Sequence, residues 1–323
     1  MSDPEARYRS GLAFGLVAYL WWGLVPLYFA ELKKFDVPAW EILAHRIVWS
    51  LPIMFAITSL NGGWKDVFRV LRNPRLVLIL FLSSTLLAIN WLLYIYSTVT
   101  DRVAEAGLGY YMMPLVNAAF ATLFLGERLR PAHYPALALV AIGVATPFVV
   151  SGTFTWLAVA LPVTFGFYGL VRKWISVESS TGLTIETLLL LFPSLVFLIY
   201  LWSKGNNHLG SEWTLNGLIA FSGVVTVVPL LSFTLSIRRL PLLAVSFIQF
   251  LSPTVQTLIA VFVLGEGLTP EAIAAFILVW LAVAIFVIDA IAQARAGRVA
   301  PRSQLPEGKS TDSGVFPKLP LRR

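Results

Sequence analysis

Cysteine and charge are what this sequence has least of. It contains no cysteine in 323 residues, which excludes disulfide bonds and thiol chemistry but leaves the compartment open. Only 13% of its residues are charged, against about 25% in an ordinary soluble domain, while 58% are hydrophobic. The polar residues that remain are too few to cover the surface of a soluble protein. The composition therefore predicts an integral membrane protein.

Catalytic signals are also missing. The sequence has no HExxH, GxSxG or P-loop motif, and its three histidines are scattered at His45, His133 and His208. We therefore expect no enzyme activity, no cofactor and no metal site. The net charge of +7 does not predict nucleic-acid binding, because most of the excess is explained below by membrane topology.

Long uncharged stretches are present instead. Residues 11–30, 76–100, 213–237 and 240–265 contain no Asp, Glu, Lys or Arg, and each has the roughly 20 residues that cross about 30 Å of hydrocarbon as a helix. The pattern predicts an all-α membrane protein with ten transmembrane helices, at residues 11–31, 40–60, 76–98, 104–125, 133–150, 154–171, 184–203, 213–236, 242–264 and 271–291. Residues 293–323, rich in Pro, Gly, Ser and Arg, are predicted to be a disordered tail.

The motif Leu-Gly-Glu-x-Leu-x-Pro occurs twice, at residues 125–131 and 264–270. This internal duplication predicts two repeats of five helices, at residues 1–150 and 151–292. Because five is odd, the second repeat must be inverted, a usual build of secondary transporters. We expect Gly126, Glu127, Gly265 and Glu266 to be structural, each carboxylate accepting amides at the start of the next helix.

Positive charge predicts the orientation. With a cytoplasmic amino terminus, the cytoplasmic segments carry 19 of the 24 Lys and Arg residues and the outer loops carry four, with Arg46 inside a span. The positive-inside rule therefore places both termini in the cytoplasm.

Four segments of the first half are distinctive: YLWWGLVPLYF at 19–29, EILAHRIVWS at 41–50, NWLLYIY at 90–96 and EAGLGYYMMPLVN at 105–117. They resemble the drug/metabolite transporter (DMT) superfamily, specifically its EamA-type proteins and the RarD subfamily, over nearly everything except the tail. The resemblance implies a carrier of the bacterial inner membrane, with a central cavity between the two halves and peripheral fifth and tenth helices. Similar proteins export amino acids or related metabolites, and the subfamily name is associated with chloramphenicol.

Helix breakers in the first and sixth spans predict where a solute binds. Pro26 follows Trp22 by four residues, and Gly166 lies in the matching sixth span. Such residues can free backbone groups toward a cavity in the membrane. The alternative is that they only allow close helix packing.

Arg46 is the main candidate for a binding or gating residue, because an unpaired arginine inside a membrane costs several kcal/mol. Its expected partner is Glu105, in the fourth span. Glu41 and His45, one turn apart, are a candidate proton-coupling pair. Glu186, in the seventh span, is expected to line the inner mouth or to cap a helix. For Arg46 a structural ion pair, or a position at the headgroups, remains open.

Polar side chains in the third, fourth and ninth spans are expected to face the same cavity. They are Asn90, Tyr94, Asn117, Gln249 and Gln256. The alternative for each is a hydrogen bond that joins two helices, worth about 0.6 kcal/mol on average.

Together these features predict a secondary-active transporter that exports a small organic solute by alternating access. The alternatives are a channel-like facilitator and a non-transporting membrane scaffold. The lipid bilayer is an expected partner, and proton coupling and a homodimer are left open.

Overall fold

The computed structural model describes residues 4–100, 103–151, 156–263 and 270–295. Gly265, Glu266 and nearly all of the predicted tail lie outside these residues. The described secondary structure is helical throughout: α1 (Pro4–Lys33), α2 (Ala39–Leu60), α3 (Trp64–Leu71), α4 (Pro74–Val99), α5 (Val103–Leu125), α6 (His133–Ser151), α7 (Trp156–Trp174), α8 (Ser179–Ser203), α9 (Trp213–Ile237), α10 (Leu242–Ile248), α11 (Leu251–Phe262) and α12 (Pro270–Arg295).

The all-α membrane class is confirmed. Within the described residues, six apolar helical segments are long enough to cross a membrane, and three shorter apolar ones accompany them. The count of ten, the repeat boundaries and the disordered tail stay predictions.

The helices differ from the predicted spans at several places, beginning with α1, which starts at Pro4 and not at residue 11. The short helix α3 lies between α2 and α4 and buries Val67 and Val70. Helix α8 begins five residues earlier than expected, because Glu178 caps its amino terminus. The ninth span is divided at Gln249 and Phe250 into α10 and α11.

Helix pairs run antiparallel and define two faces of the molecule. Ser236 at the end of α9 donates to the Gly11 carbonyl near the start of α1, while Tyr28 near the end of α1 donates to the Leu218 carbonyl. We call the end where α1 begins the amino-terminal face and the other end the opposite face.

Helices α6 and α12 form a pair at the periphery, as the resemblance implies. They pack on each other and, through α6, on α5. Their contact buries Val140, Val279 and Ala282 together with Phe247 and Phe250 of the α10–α11 region.

Large apolar side chains are exposed around the helices. Leu78, Phe192 and Leu123 each expose more than half of their surface, as expected of side chains that face lipid. Exposed tryptophans lie near helix ends at the opposite face: Trp40, Trp156, Trp202 and Trp213. Tryptophan is enriched at the edges of a bilayer, so this row marks one membrane boundary.

Candidate functional site: a central cavity around Arg46

A cavity of about 50 Å³ lies between α1, α2, α4, α5, α7 and the α10–α11 region. Six residues that the sequence singled out line it: Trp22, Arg46, Asn90, Tyr94, Gln249 and Gln256. Its lining also includes residues that sequence reasoning had not assigned to the cavity, among them Tyr110, Met113 and Ser252. Their apolar or weakly polar character gives no signal that separates them from ordinary packing residues.

Arg46 is buried in the cavity wall, with only 4% of its surface exposed. Its Nε donates to Oγ1 of Thr226 at 3.0 Å. The guanidinium carbon lies 4.6 Å from the ring centre of Trp91 and 5.8 Å from that of Phe29. Aromatic rings stabilise a desolvated cation by about 2 kcal/mol, which offsets only part of the cost of burial.

No carboxylate among the described side chains forms an ion pair with Arg46. The predicted partner, Glu105, belongs to α5, but its side chain lies outside those the structure describes. The Arg46–Glu105 pair therefore stays a prediction.

Pro26 acts through the backbone of α1. In a regular helix the Trp22 carbonyl would accept from the amide of residue 26, but proline has no N–H. Gln256 donates from Nε2 to this carbonyl at 3.2 Å and to Ser252 Oγ at 3.1 Å. The expected helix break is not seen, because the Gln256 side chain satisfies the freed carbonyl and α1 stays helical through Pro26.

Two other polar side chains of the lining join helices. Asn90 donates from Nδ2 to the Leu161 carbonyl at 2.8 Å and to Thr164 Oγ1 at 3.0 Å. The Tyr19 hydroxyl donates to Gln249 Oε1 at 3.4 Å. The Asn90 contacts hold α4 against α7. The Tyr19 contact holds α1 against Gln249, which lies between α10 and α11.

Aromatic rings around the cavity pack in two groups, one nearer each face of the molecule. Toward the opposite face, the Tyr94 ring contacts those of Phe29 and Tyr110 at centroid distances of 5.8 and 5.7 Å. Toward the amino-terminal face, Phe165 contacts Trp22 and Phe233 at 5.5 and 4.9 Å. We call these the Tyr94 aromatic layer and the Phe165 aromatic layer.

Gly166 and Asn117 do not line the cavity. A Cβ at Gly166 would lie 3.0 Å from the Phe120 ring and 3.2 Å from Oδ1 of Asn117. Helix α7 therefore approaches α5 closely at this point, and α7 remains helical through Gly166. This contact fits the alternative in which Gly166 allows close packing of two helices.

Glu41 lies near the opposite face and is fully buried. It accepts from the backbone N–H and from Nδ1 of His208, both at 2.7 Å. His45 Nε2 lies 3.7 Å from the same carboxylate, too far for a hydrogen bond, and both buried ring nitrogens of His45 lack a described partner. Sequence reasoning missed His208, because no local pattern connects residues 167 positions apart.

Glu127 follows Gly126, whose φ of +65° favours glycine. The Glu127 carboxylate accepts from the amides of Leu242 and Leu243 at 2.9 and 3.3 Å. These amides belong to α10 in the second predicted repeat, so the expectation that Glu127 would hold the start of α6 was wrong. Lys173 adds an ion pair at 3.5 Å.

Glu186 is buried near the amino-terminal face, at the eighth position of α8. It does not cap the helix. Glu178 does, by accepting from the amides of Ser180 and Thr181 at 2.8 and 3.0 Å.

Comparison with known proteins identifies the fold family. The model of the EamA-like transporter family matches this chain twice, over residues 9–148 and 153–288. One solved structure matches with a TM-score of 0.66 and 20% identity, covering 85% of this chain and 96% of that one.

Several bacterial proteins are similar over most of their length. An uncharacterized transporter of Vibrio cholerae is 39% identical, covering 94% of this chain and 99% of that protein. Protein RarD of Escherichia coli is 38% identical, covering 88% and 95%. A Pseudomonas aeruginosa protein named chloramphenicol-sensitive protein RarD is 26% identical, covering 84% and 92%.

Proposed function

Because the chain belongs to the EamA-like transporter family, we propose that it is a secondary-active carrier that exports a small organic solute by alternating access. It is a multi-pass transporter of the inner membrane, in the RarD subfamily of the DMT superfamily. Beyond the family, we propose that transport occurs by alternating access, that its direction is export and that both termini are cytoplasmic. We also propose that the solutes are molecules that carry a carboxylate, such as amino acids or related metabolites.

Arg46 carries the proposal. A buried guanidinium that has no described carboxylate partner lines the central cavity, beside amide side chains. Arginine binds a carboxylate in a geometry that allows two parallel hydrogen bonds. Nε is already used by Thr226, which leaves the Nη atoms as donors for a solute.

The two aromatic layers support alternating access over an open pore. They lie nearer to opposite faces of the molecule, and we expect a solute to separate one of them to leave. A channel-like facilitator needs a continuous polar path, which these layers interrupt.

Proton coupling through Glu41 and His45 is the second part of the proposal. His45 is buried, no described group hydrogen-bonds its two ring nitrogens, and its Nε2 lies 3.7 Å from the Glu41 carboxylate. Solute-driven proton uptake that persists unchanged in His45→Gln would contradict this part.

Ligand-induced thermal stabilisation tests the site. The purified full-length protein is unfolded with amino acids, chloramphenicol, and pairs of small carboxylic acids and their amides. A carboxylate at 100 times its dissociation constant should add about 2.7 kcal/mol, and its amide less. The gain should vanish in Arg46→Ala and persist in Arg69→Ala, which removes an exposed arginine of α3. A carboxylate that stabilises Arg46→Ala as much as wild type would overturn the assignment.

A further inference from the structure

We propose that Glu186 is a second proton-binding site, which couples protonation at the amino-terminal face to the central cavity; this rests on the proposed transport function. Glu186 is 1% exposed and lies on α8. It belongs neither to the cavity around Arg46 nor to the Glu41–His45 pair.

The position of Glu186 mirrors that of His45. His45 precedes Pro52 of α2 by seven residues (45 to 52), and Glu186 precedes Pro193 of α8 by seven (186 to 193). Helices α2 and α8 are the second helices of the two predicted repeats. Helices α2 and α8 therefore each contain a buried titratable residue seven positions before a proline. His45 lies toward the opposite face and Glu186 toward the amino-terminal face.

Arg172 of α7 is the charged group that faces Glu186. Its Nε lies 3.7 Å from Oε1 of the carboxylate, beyond hydrogen-bond distance. Nε and Nη1 of Arg172 are buried without a described hydrogen-bond partner, while Nη2 donates to the Ser179 carbonyl at 3.1 Å. A buried arginine–carboxylate pair stabilises a fold most when two short hydrogen bonds join the two groups. Arg172 and Glu186 are not joined in this way.

The direct hydrogen-bond partners of Glu186 suit both protonation states. The Ser83 hydroxyl of α4 donates to Oε1, and the Tyr168 hydroxyl of α7 lies 3.5 Å from Oε2. A hydroxyl can donate to a carboxylate or accept from a carboxylic acid. Gain of a proton therefore leaves no buried oxygen without a partner.

The other elements packed on α8 present no charge to Glu186 among the described residues. Ser50 of α2 and Thr226 of α9, both uncharged, line the same small cavity as Glu186. Helix α3 packs with Val67 and Val70, while its Asp66 and Arg69 pair with each other at the surface. Arg172 is therefore the group that senses a change in the charge of Glu186.

A small cavity connects Glu186 with the site around Arg46. It encloses about 20 Å³, and its lining includes Glu186, Ser50, Thr187, Thr226 and Trp91. Such a volume is large enough for one water molecule. Thr226 accepts from Arg46, and Trp91, which lies under the guanidinium, lines both cavities.

Protonation then has a defined consequence. A proton from the amino-terminal side adds to one carboxylate oxygen, and an O–H bond forms. Arg172 keeps its charge, and the attraction between α7 and α8 at this face is lost. The transporter is then biased toward opening at the amino-terminal face, next to the Phe165 aromatic layer.

Infrared spectroscopy of the full-length protein in lipid nanodiscs tests the site. The probe is the proton alone: the C=O band of a protonated carboxylic acid is followed as the pH is lowered. Wild type should show a titrating band that is absent from Glu186→Gln and retained in Glu212→Gln, an exposed glutamate before α9. A difference spectrum that is the same in wild type and Glu186→Gln would overturn the proposal.

A second variant covers the case in which Glu186→Gln does not fold. Ser83→Ala keeps the carboxyl and removes a hydroxyl that donates to its ionised form. Because the hydrogen bond to the ionised form is the stronger of the two, the midpoint of the same band should move to higher pH by about one unit; an unchanged midpoint would contradict the assignment. Since the band needs no solute, its outcome is independent of whether any carboxylate binds at Arg46.

Discussion

Arg46 donates from Nε to Oγ1 of Thr226 at 3.0 Å, and this bond joins α2 of the first predicted repeat to α9 of the second. Thr226 in turn donates to the Ser222 carbonyl at 2.8 Å. The guanidinium is thus held in one orientation, and its Nη atoms are free of this contact. A carrier that must bind a carboxylate needs such a fixed donor.

Thr226→Val should destabilise the protein by about 1–3 kcal/mol, because it leaves a buried charged donor without its acceptor. It should also weaken carboxylate binding. Thermal unfolding measures the first effect and ligand-dependent shifts the second. Thr146→Val is the matched control, since Thr146 lies partly exposed on α6 and its described hydrogen bond is to the Ile142 carbonyl of its own helix; an equal loss in both variants would refute the role of Thr226.

Gly223→Ala should be strongly destabilising. A Cβ at Gly223 of α9 would overlap the backbone carbonyl of Trp49 in α2, and a backbone cannot move aside as a flexible side chain can. Overpacking of this kind costs about 1–3 kcal/mol or more. Gly217→Ala is the control in the same helix: nothing lies within 4 Å of its Cβ, so the alanine should be neutral or stabilising by about 0.5–1 kcal/mol.

Gln256→Leu should cost about 1–3 kcal/mol, because it leaves the Trp22 carbonyl unsatisfied within the membrane. Pro26→Ala restores an N–H that can reach the same carbonyl. The double variant should therefore lose less stability than the sum of the single ones, by at least about 0.5 kcal/mol. Strict additivity in this double-mutant cycle would show that Gln256 does not serve the carbonyl freed by Pro26.

Much of the site follows from residue type alone. A buried Arg46 and the amides at Asn90, Gln249 and Gln256 are costly in lipid, so their placement around one cavity is foreseeable. Trp22 was expected there because it lies four residues before Pro26 on the same helix face. Periodicity could not show that Gly166 serves packing, because close packing and a cavity require the same small residue. It also could not show the helix break in the ninth span.

The long-range partners were not predictable for a different reason. His208 reaches Glu41 from a loop between α8 and α9, and Glu127 reaches α10 from the other predicted repeat. Nothing local to either residue encodes such a contact. Tertiary packing brings the pairs together, and a single sequence contains no record of it.

Glu178→Ala should lower stability in a pH-dependent way. Burial alone would raise the pKa of Glu178, but hydrogen bonds from Ser180 and Thr181 outweigh it and lower the pKa below 4.5. A lowered pKa in the folded state adds stability above the unfolded pKa, and this stability is lost as the pH falls through the folded value. The loss at pH 7 should be about 0.5–1 kcal/mol, because Glu178 is only partly buried and water still screens its charge.

Glu212→Ala is the matched control for this cap. Glu212 occupies the same N-cap position before α9, but its side chain makes no capping hydrogen bond. Thermal unfolding between pH 7 and about pH 3 should show a difference for Glu178→Ala that shrinks with acid, and little for Glu212→Ala. A pH-independent loss at Glu178 would mean that its charge does not contribute.

The most direct test of the account is flux into proteoliposomes. The probe is the radiolabelled carboxylate that gives the largest thermal shift, supplied to wild type, Arg46→Ala and Arg69→Ala at equal protein content. We predict saturable uptake in wild type and Arg69→Ala, and a loss of at least about tenfold in Arg46→Ala, since one lost ion contact of 1.4 kcal/mol is tenfold. Uptake by folded Arg46→Ala at the wild-type rate would contradict the central claim that Arg46 binds the solute.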